Sequence, residues 1–234
     1  MPLNLAEFSP VIIFVLFGAL VIAFIIIAVI QAAKRREAWR ALARRIGCSY
    51  SCRDRFAIPH SYPQSLFDRG HGRRAHNVLH GQIDDNEIKC FDYLYKTTSG
   101  TGKNRHEETH RFSCLLLTPP IPFKPLSIRP ETFFDRVGEF LGLDDIDFES
   151  DEFSRRFFVK CRDKRFAYDI IHARTMALLL ECGKIYVEAK DDSILFYYSG
   201  LQRVPDEVEP LIRRGLKFLD LVPDYLIEQV RGRL

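Results

Sequence analysis

The sequence predicts an α+β domain behind a single transmembrane helix, and three observations carry that expectation. Apolar residues fill Val11–Ile30 without one charge. Apolar/polar alternation then recurs in short segments joined by tight turns, and amphipathic helical stripes come between groups of those segments. Strands joined mainly by short turns pair antiparallel, so a mainly antiparallel sheet with helices packed on one face is expected.

The apolar run of 20 residues would reach about 30 Å as a helix, the hydrocarbon thickness of a bilayer. Lys34, Arg35, Arg36, Arg40, Arg44 and Arg45 follow at once against Glu37 alone, and Glu7 is the one charged side chain before the run. That bias predicts a short extracytoplasmic N-terminus over 1–10, a transmembrane helix over 11–30 and a cytoplasmic remainder. A core helix would show a polar face, and a signal peptide would carry its positive charge first.

No proline interrupts residues 19–47, so the helix is expected to continue as a basic juxtamembrane helix over 31–47 and to stop at Gly47. Trp39, Leu42, Ala43 and Ile46 share one stripe, expected at the lipid interface. Arg35, Arg36, Arg40 and Arg44 are the candidate lipid-headgroup contacts, at about 1 kcal/mol per basic residue near an anionic surface.

Residues 48–234 form the cytosolic α+β domain. Its first part, 48–76, reads as irregular, interrupted by Pro59, Pro63, Gly70 and Gly72. Strands over 77–83 and 87–95 flank Asp84-Asp85-Asn86 as a hairpin, with Phe91, Tyr93 and Tyr95 alternating on a face expected to be core. A strand over 111–117 follows, with 97–105 as the exposed tip. Pro119, Pro120, Pro122 and Pro125 turn the chain, and Pro130 opens a predicted helix striped by Phe133, Phe134, Val137, Phe140 and Leu141.

An acidic loop over 144–152 precedes a short strand over 156–161. Asp163 opens a helix expected to reach about residue 181, with Gly183 after it. Segments 184–189 and 193–199 make the clearest hairpin, turning on Lys190-Asp191-Asp192. Val208, Leu211, Ile212, Gly215, Leu216 and Leu219 stripe an amphipathic helix, and Pro223 separates it from a short terminal one. Two hairpin-plus-helix halves, 77–142 and 155–222, emerge without aligning as a repeat.

The chain carries a net charge of +3, of which residues 34–45 supply +5, so the remainder sums to −2. A near-neutral domain lacks the basic face that nucleic acid requires, and no nucleic-acid partner is expected. The six cysteines, Cys48, Cys52, Cys90, Cys114, Cys161 and Cys182, are expected as free and mostly buried thiols in a reducing compartment.

Candidate chemistry is sparse. Ser99–Asn104 resembles the end of a phosphate-binding loop, but Thr97 stands where a glycine is required and Asn104 where Ser or Thr is. The acidic stretch 144–152 misses the glycine of a calcium loop. No Gly-x-Ser-x-Gly turn occurs. His76/His80 and His106/His110 are spaced so that neighbouring strands could present them together, and imidazole suits zinc. Surface histidines on an exposed sheet face account for the same four residues, and no metal or other cofactor is expected.

Leu66-Phe67, the run His76–Gly81, and Phe91–Tyr95 with Ser99-Gly100, read with Asp145–Val159 and Asp163…Phe166-Ala167, resemble uncharacterised bacterial single-pass membrane proteins with a cytosolic α+β domain. The resemblance implies a bacterial inner-membrane location and supplies no activity or catalytic residue. The expectation is a non-catalytic membrane-anchored domain that binds a protein partner or the lipid surface. The alternative is a metal-dependent or hydrolytic domain using the region of His76, His80, His106 and His110.

Overall fold

The computed structural model describes residues 10–119, 122–131, 146, 148–200 and 205–231. Helix α1, Pro10–Arg45, runs 36 residues without a break. It is long and apolar enough to cross a membrane. From Ile12 to Ile30 its side chains are uncovered, Phe14 at 77% and Phe24 at 74% exposed. Gly47 then takes a φ of +71°, a left-handed exit that glycine adopts without strain.

Eight strands build one sheet: β1 Ser49–Arg53, β2 His71–Ile83, β3 Asn86–Ser99, β4 His106–Thr118, β5 Phe123–Pro130, β6 Phe157–Cys161, β7 Tyr186–Asp191 and β8 Ser193–Gly200. Their order is β1-β2-β3-β4-β8-β7-β5-β6, and every pairing is antiparallel. The expected α+β class with a mainly antiparallel sheet holds. β5 lies between β7 and β6, so residues from both of the sequence's halves interleave in the one sheet.

The short helices are α2 Ile58–Ser61, α3 Asp151–Arg156, α4 Lys164–Ile170 and α5 Ala173–Cys182, followed by the longer α6 Pro205–Asp220 and then α7 Asp224–Arg231. One face of the sheet (Leu79, Cys90, Leu115, Leu117, Phe196, Val187) packs with Trp39 and Leu42 of α1, Leu179 of α5 and Val208 and Leu211 of α6. The other face carries Val78, Phe91, Tyr93, Phe112, Leu116 and Tyr197 under Ile58, Leu66 and Phe67. Phe91, Tyr93 and Tyr95 are core, and Phe67 meets the Tyr93 ring edge-on at 5.2 Å.

The turns explain the register. Asp84 and Asp85, with φ of +48° and +62°, close the β2–β3 hairpin in two residues, an arrangement short acidic or amide side chains tolerate. Asp191, φ +56°, does the same for β7–β8, where Lys190 pairs Ser193.

Three expectations are corrected and one lies outside the described residues. Residues 48–76 are not wholly irregular, because β1 and the start of β2 pair there. The proline-rich stretch contains β5, whose register shift between Phe123 and Leu126 spans Pro125, a residue with no N–H to give a ladder. Pro130 ends that strand, and the helix expected after it, 133–141, lies outside the described residues. The helix expected over 163–181 is two, α4 and α5, because His172 caps the second with its ring accepting the Arg174 N–H.

Candidate functional site

The most developed polar arrangement lies where α1 meets the sheet. Trp39 (0% exposed), Leu42 (1%) and Ala43 (3%) of α1 belong to the main core. The stripe expected at the lipid interface is therefore spent on the domain: a helix face that wide gains more by covering an apolar sheet than by resting among headgroups. Docking is tight enough that a Cβ on Gly81 of β2 would lie 2.7 Å from the Cys48 Sγ, in the link from α1 to β1.

Beyond Trp39 toward the apolar end of α1, Arg35 reaches Asp92 of β3. Its Nη2 donates to Oδ1 at 2.7 Å and its Nε to Oδ2 at 3.1 Å, a bidentate pair in which the carboxylate is fully buried and Arg35 about a quarter exposed. Asn77 Nδ2 donates to Asp92 Oδ2 at 2.8 Å, and the Tyr50 hydroxyl donates to Asn77 Oδ1 at 2.8 Å. A bulge makes this possible. The β2–β3 register shifts between His76 and Leu79, with Asn77 at φ +52°. The extra residue lets His76 and Asn77 both approach Asp92, since without it alternation would send them to opposite faces.

Around this junction is a cavity of about 560 Å³ lined by Ala32, Arg35 and Arg36 of α1, by Cys52, Arg53 and Asp54, and by Arg74–Asn77 of β2. Four arginines thus face one acid. Asp54 is already committed: its Oδ1 accepts the Phe56 N–H at 2.9 Å and its Oδ2 the Ile58 N–H at 2.8 Å. Burial holds the His76 imidazole below its ordinary value, against the pull of nearby Asp92. Burial likewise pushes the Tyr50 phenol up to about 12, with Cys52 reinforcing it.

Of the four arginines expected at lipid headgroups, Arg35 is engaged with Asp92 and Arg36 lines the cavity. Arg40 and Arg44 both reach Glu37 on the exposed side of the helix, at 3.3 and 3.0 Å. Arg53 and Arg74 escaped sequence reasoning because they lie in the stretch read as irregular. The buried Asp92 did carry a signal: a carboxylate at an inward position of an otherwise apolar strand demands a partner.

The four histidines do not converge. β3 lies between β2 and β4, so His76 and His80 pair with β3 from one side and His106 and His110 from the other. His80 meets the Phe56 ring edge-on, His110 stacks on Tyr95 at 4.8 Å and lies 2.8 Å from Thr97 Oγ1, and His106 stands at the β3–β4 tip. Among the described residues no group of three or more His, Cys, Asp or Glu side chains is placed to hold a metal ion. Gly102–Asn104 form a single 3-10 turn at that tip, with β4 rather than a helix after them.

A second cleft, of about 280 Å³, opens beside Gln64, Lys160 and Glu188. Glu188 accepts from Tyr197 at 2.9 Å and from the Ser65 N–H at 2.7 Å, so its carboxylate secures the segment over the sheet.

Fold and junction together define a class: an apolar helix continued into the core of an eight-stranded α+β domain. No protein-family model matches the chain, and no curated protein sequence does. Among solved structures, the chain is similar to the mycobacterial trehalose monomycolate transport factor A, TtfA. The match has a TM-score of 0.52 at 12% identity and covers 81% of this chain and 96% of that one. At that identity the likeness is one of fold.

Proposed function

We propose that this protein is a membrane-anchored, non-catalytic domain, held at the cytosolic surface of a bacterial inner membrane, that works by binding a partner protein there. One observation carries the reading: the long apolar helix continues unbroken until Trp39, Leu42 and Ala43 are inside the domain core. A leader destined for removal has no need of that continuity, whereas an anchor that must hold a domain in a set pose does. The basic cluster after the apolar run supports a cytosolic domain. The likeness to a transport factor is compatible with an accessory role beside other membrane proteins, and the chain's bacterial origin and single pass belong to the same reading.

Cys52, exposed next to the junction, reports the orientation. A membrane-impermeant maleimide is expected to leave it unmodified in intact spheroplasts and to modify it after permeabilisation. Modification in intact spheroplasts would reverse the topology. The partner is tested by affinity capture of the full chain from native membranes, with residues 1–47 as control. A protein retained by the full chain and absent from the control assigns binding to the domain. Equal recovery by both overturns it.

A further inference from the structure

We propose that the cavity between α1 and the β1–β2 edge is a binding site for a phosphate monoanion or diester, filled by the headgroup of an anionic phospholipid of the adjoining leaflet. The proposal rests on the cytosolic, membrane-anchored reading above.

Charge argues for the ligand class. Arg35 is matched by Asp92 and Asp54 is occupied by two backbone N–H groups. Arg36, Arg53 and Arg74 also line the cavity, and among the described residues no carboxylate lies within ion-pair distance of them. Guanidinium groups brought from three separate segments onto one cavity form a fork-rich site for phosphate oxygens, which planar Arg recognises better than Lys. Arg53 and Arg74 are exposed and serve no visible packing role, so their charge is available to a ligand.

Depth argues for the lipid source. Ala32 and Arg36 stand two and six residues beyond Ile30, the end of the apolar run. At the helical rise these are about 3 and 9 Å past the hydrocarbon edge, whereas the headgroup layer of one leaflet is about 5–8 Å deep. The cavity's α1 lining, Ala32 to Arg36, thus brackets the headgroup layer, and Ala32 adds an apolar side chain there. A phospholipid phosphate can enter without leaving its leaflet.

The test uses the full chain, delipidated in a neutral detergent, titrated separately with short-chain phosphatidylglycerol, short-chain phosphatidylcholine and inorganic phosphate, and read by native mass spectrometry. The wild type is expected to retain phosphatidylglycerol in preference to phosphatidylcholine. Arg53→Gln with Arg74→Gln should weaken that retention roughly tenfold or more while leaving the melting temperature unchanged. Arg40→Gln with Arg44→Gln, off the cavity and on the Glu37 side, should retain wild-type binding. Equal phosphatidylglycerol retention by wild type and the Arg53/Arg74 variant would overturn the site. Loss confined to the Arg40/Arg44 variant would also overturn it, while leaving surface attraction and the anchored reading standing. Saturation by inorganic phosphate, with no further uptake of phosphatidylglycerol, would overturn the lipid source and assign a soluble phosphate ligand.

Discussion

Trp39→Ala is expected to destabilise the domain by about 3–5 kcal/mol, the range for deleting a fully buried large aromatic. Trp39 is 0% exposed and packs in the main core with Leu42 and residues of β2, β3 and α6. Among the described residues its indole N–H has no hydrogen-bond partner, so the side chain contributes volume and apolar area rather than a polar contact. Trp39→Phe should therefore cost much less, about 1–2 kcal/mol, since it leaves a smaller void and removes no hydrogen bond. Denaturant titration of the full chain in detergent, followed by far-ultraviolet circular dichroism, gives both values. A loss below about 1 kcal/mol for the alanine variant would mean that the stripe faces lipid, because surface positions rarely cost more.

How much of this was legible in the sequence follows from how local each signal is. The long apolar helix, the β2–β3 and β7–β8 hairpins and α6 each declare themselves through composition, period or turn residues within a few positions. β1 does not: in its five residues only Ser51 is buried, and its strand identity comes from pairing with β2 about 25 residues on. β5 was hidden by Pro125 and Pro130, which argue against a strand until the bulge that accommodates Pro125 is seen. The stripe on residues 39–46 was visible, but periodicity says only that a face is apolar. Whether lipid or a sheet covers it is a tertiary fact.

The junction was less legible still. Arg35 looks like any member of a basic run, and its partner is 57 positions away. The cavity needs α1, the segment around Arg53 and the bulged part of β2 at once. No window of sequence contains all three, whereas the helix continuity that brings them together was predicted from the lack of proline.

Among the polar groups of that junction Arg35→Ala is expected to be the most damaging single change, costing about 3 kcal/mol, the lower end of the range for removing one partner of a buried ion pair. The lower end applies because Arg35 is itself 23% exposed, so solvent screens part of the interaction, while Asp92 is 0% exposed and would keep the Asn77 donor at 2.8 Å and His76 Nε2 at 3.9 Å. Asp92→Asn should cost less, about 1–2 kcal/mol, because a partly exposed guanidinium can turn toward water when its acceptor is lost. Arg35→Lys keeps the charge but gives up the two-point fork and should fall between the wild type and the alanine variant. The decisive quantity is the coupling: Arg35→Ala and Asp92→Asn together should cost about 1–3 kcal/mol less than the sum of the two single changes. Trp39, the one tryptophan in the chain and one helical turn from Arg35, provides the fluorescence probe for all four unfolding curves. A coupling near zero would show that the pair does not hold the helix to the sheet. The hold of α1 on the sheet would then rest on its apolar contacts, Trp39, Leu42 and Ala43.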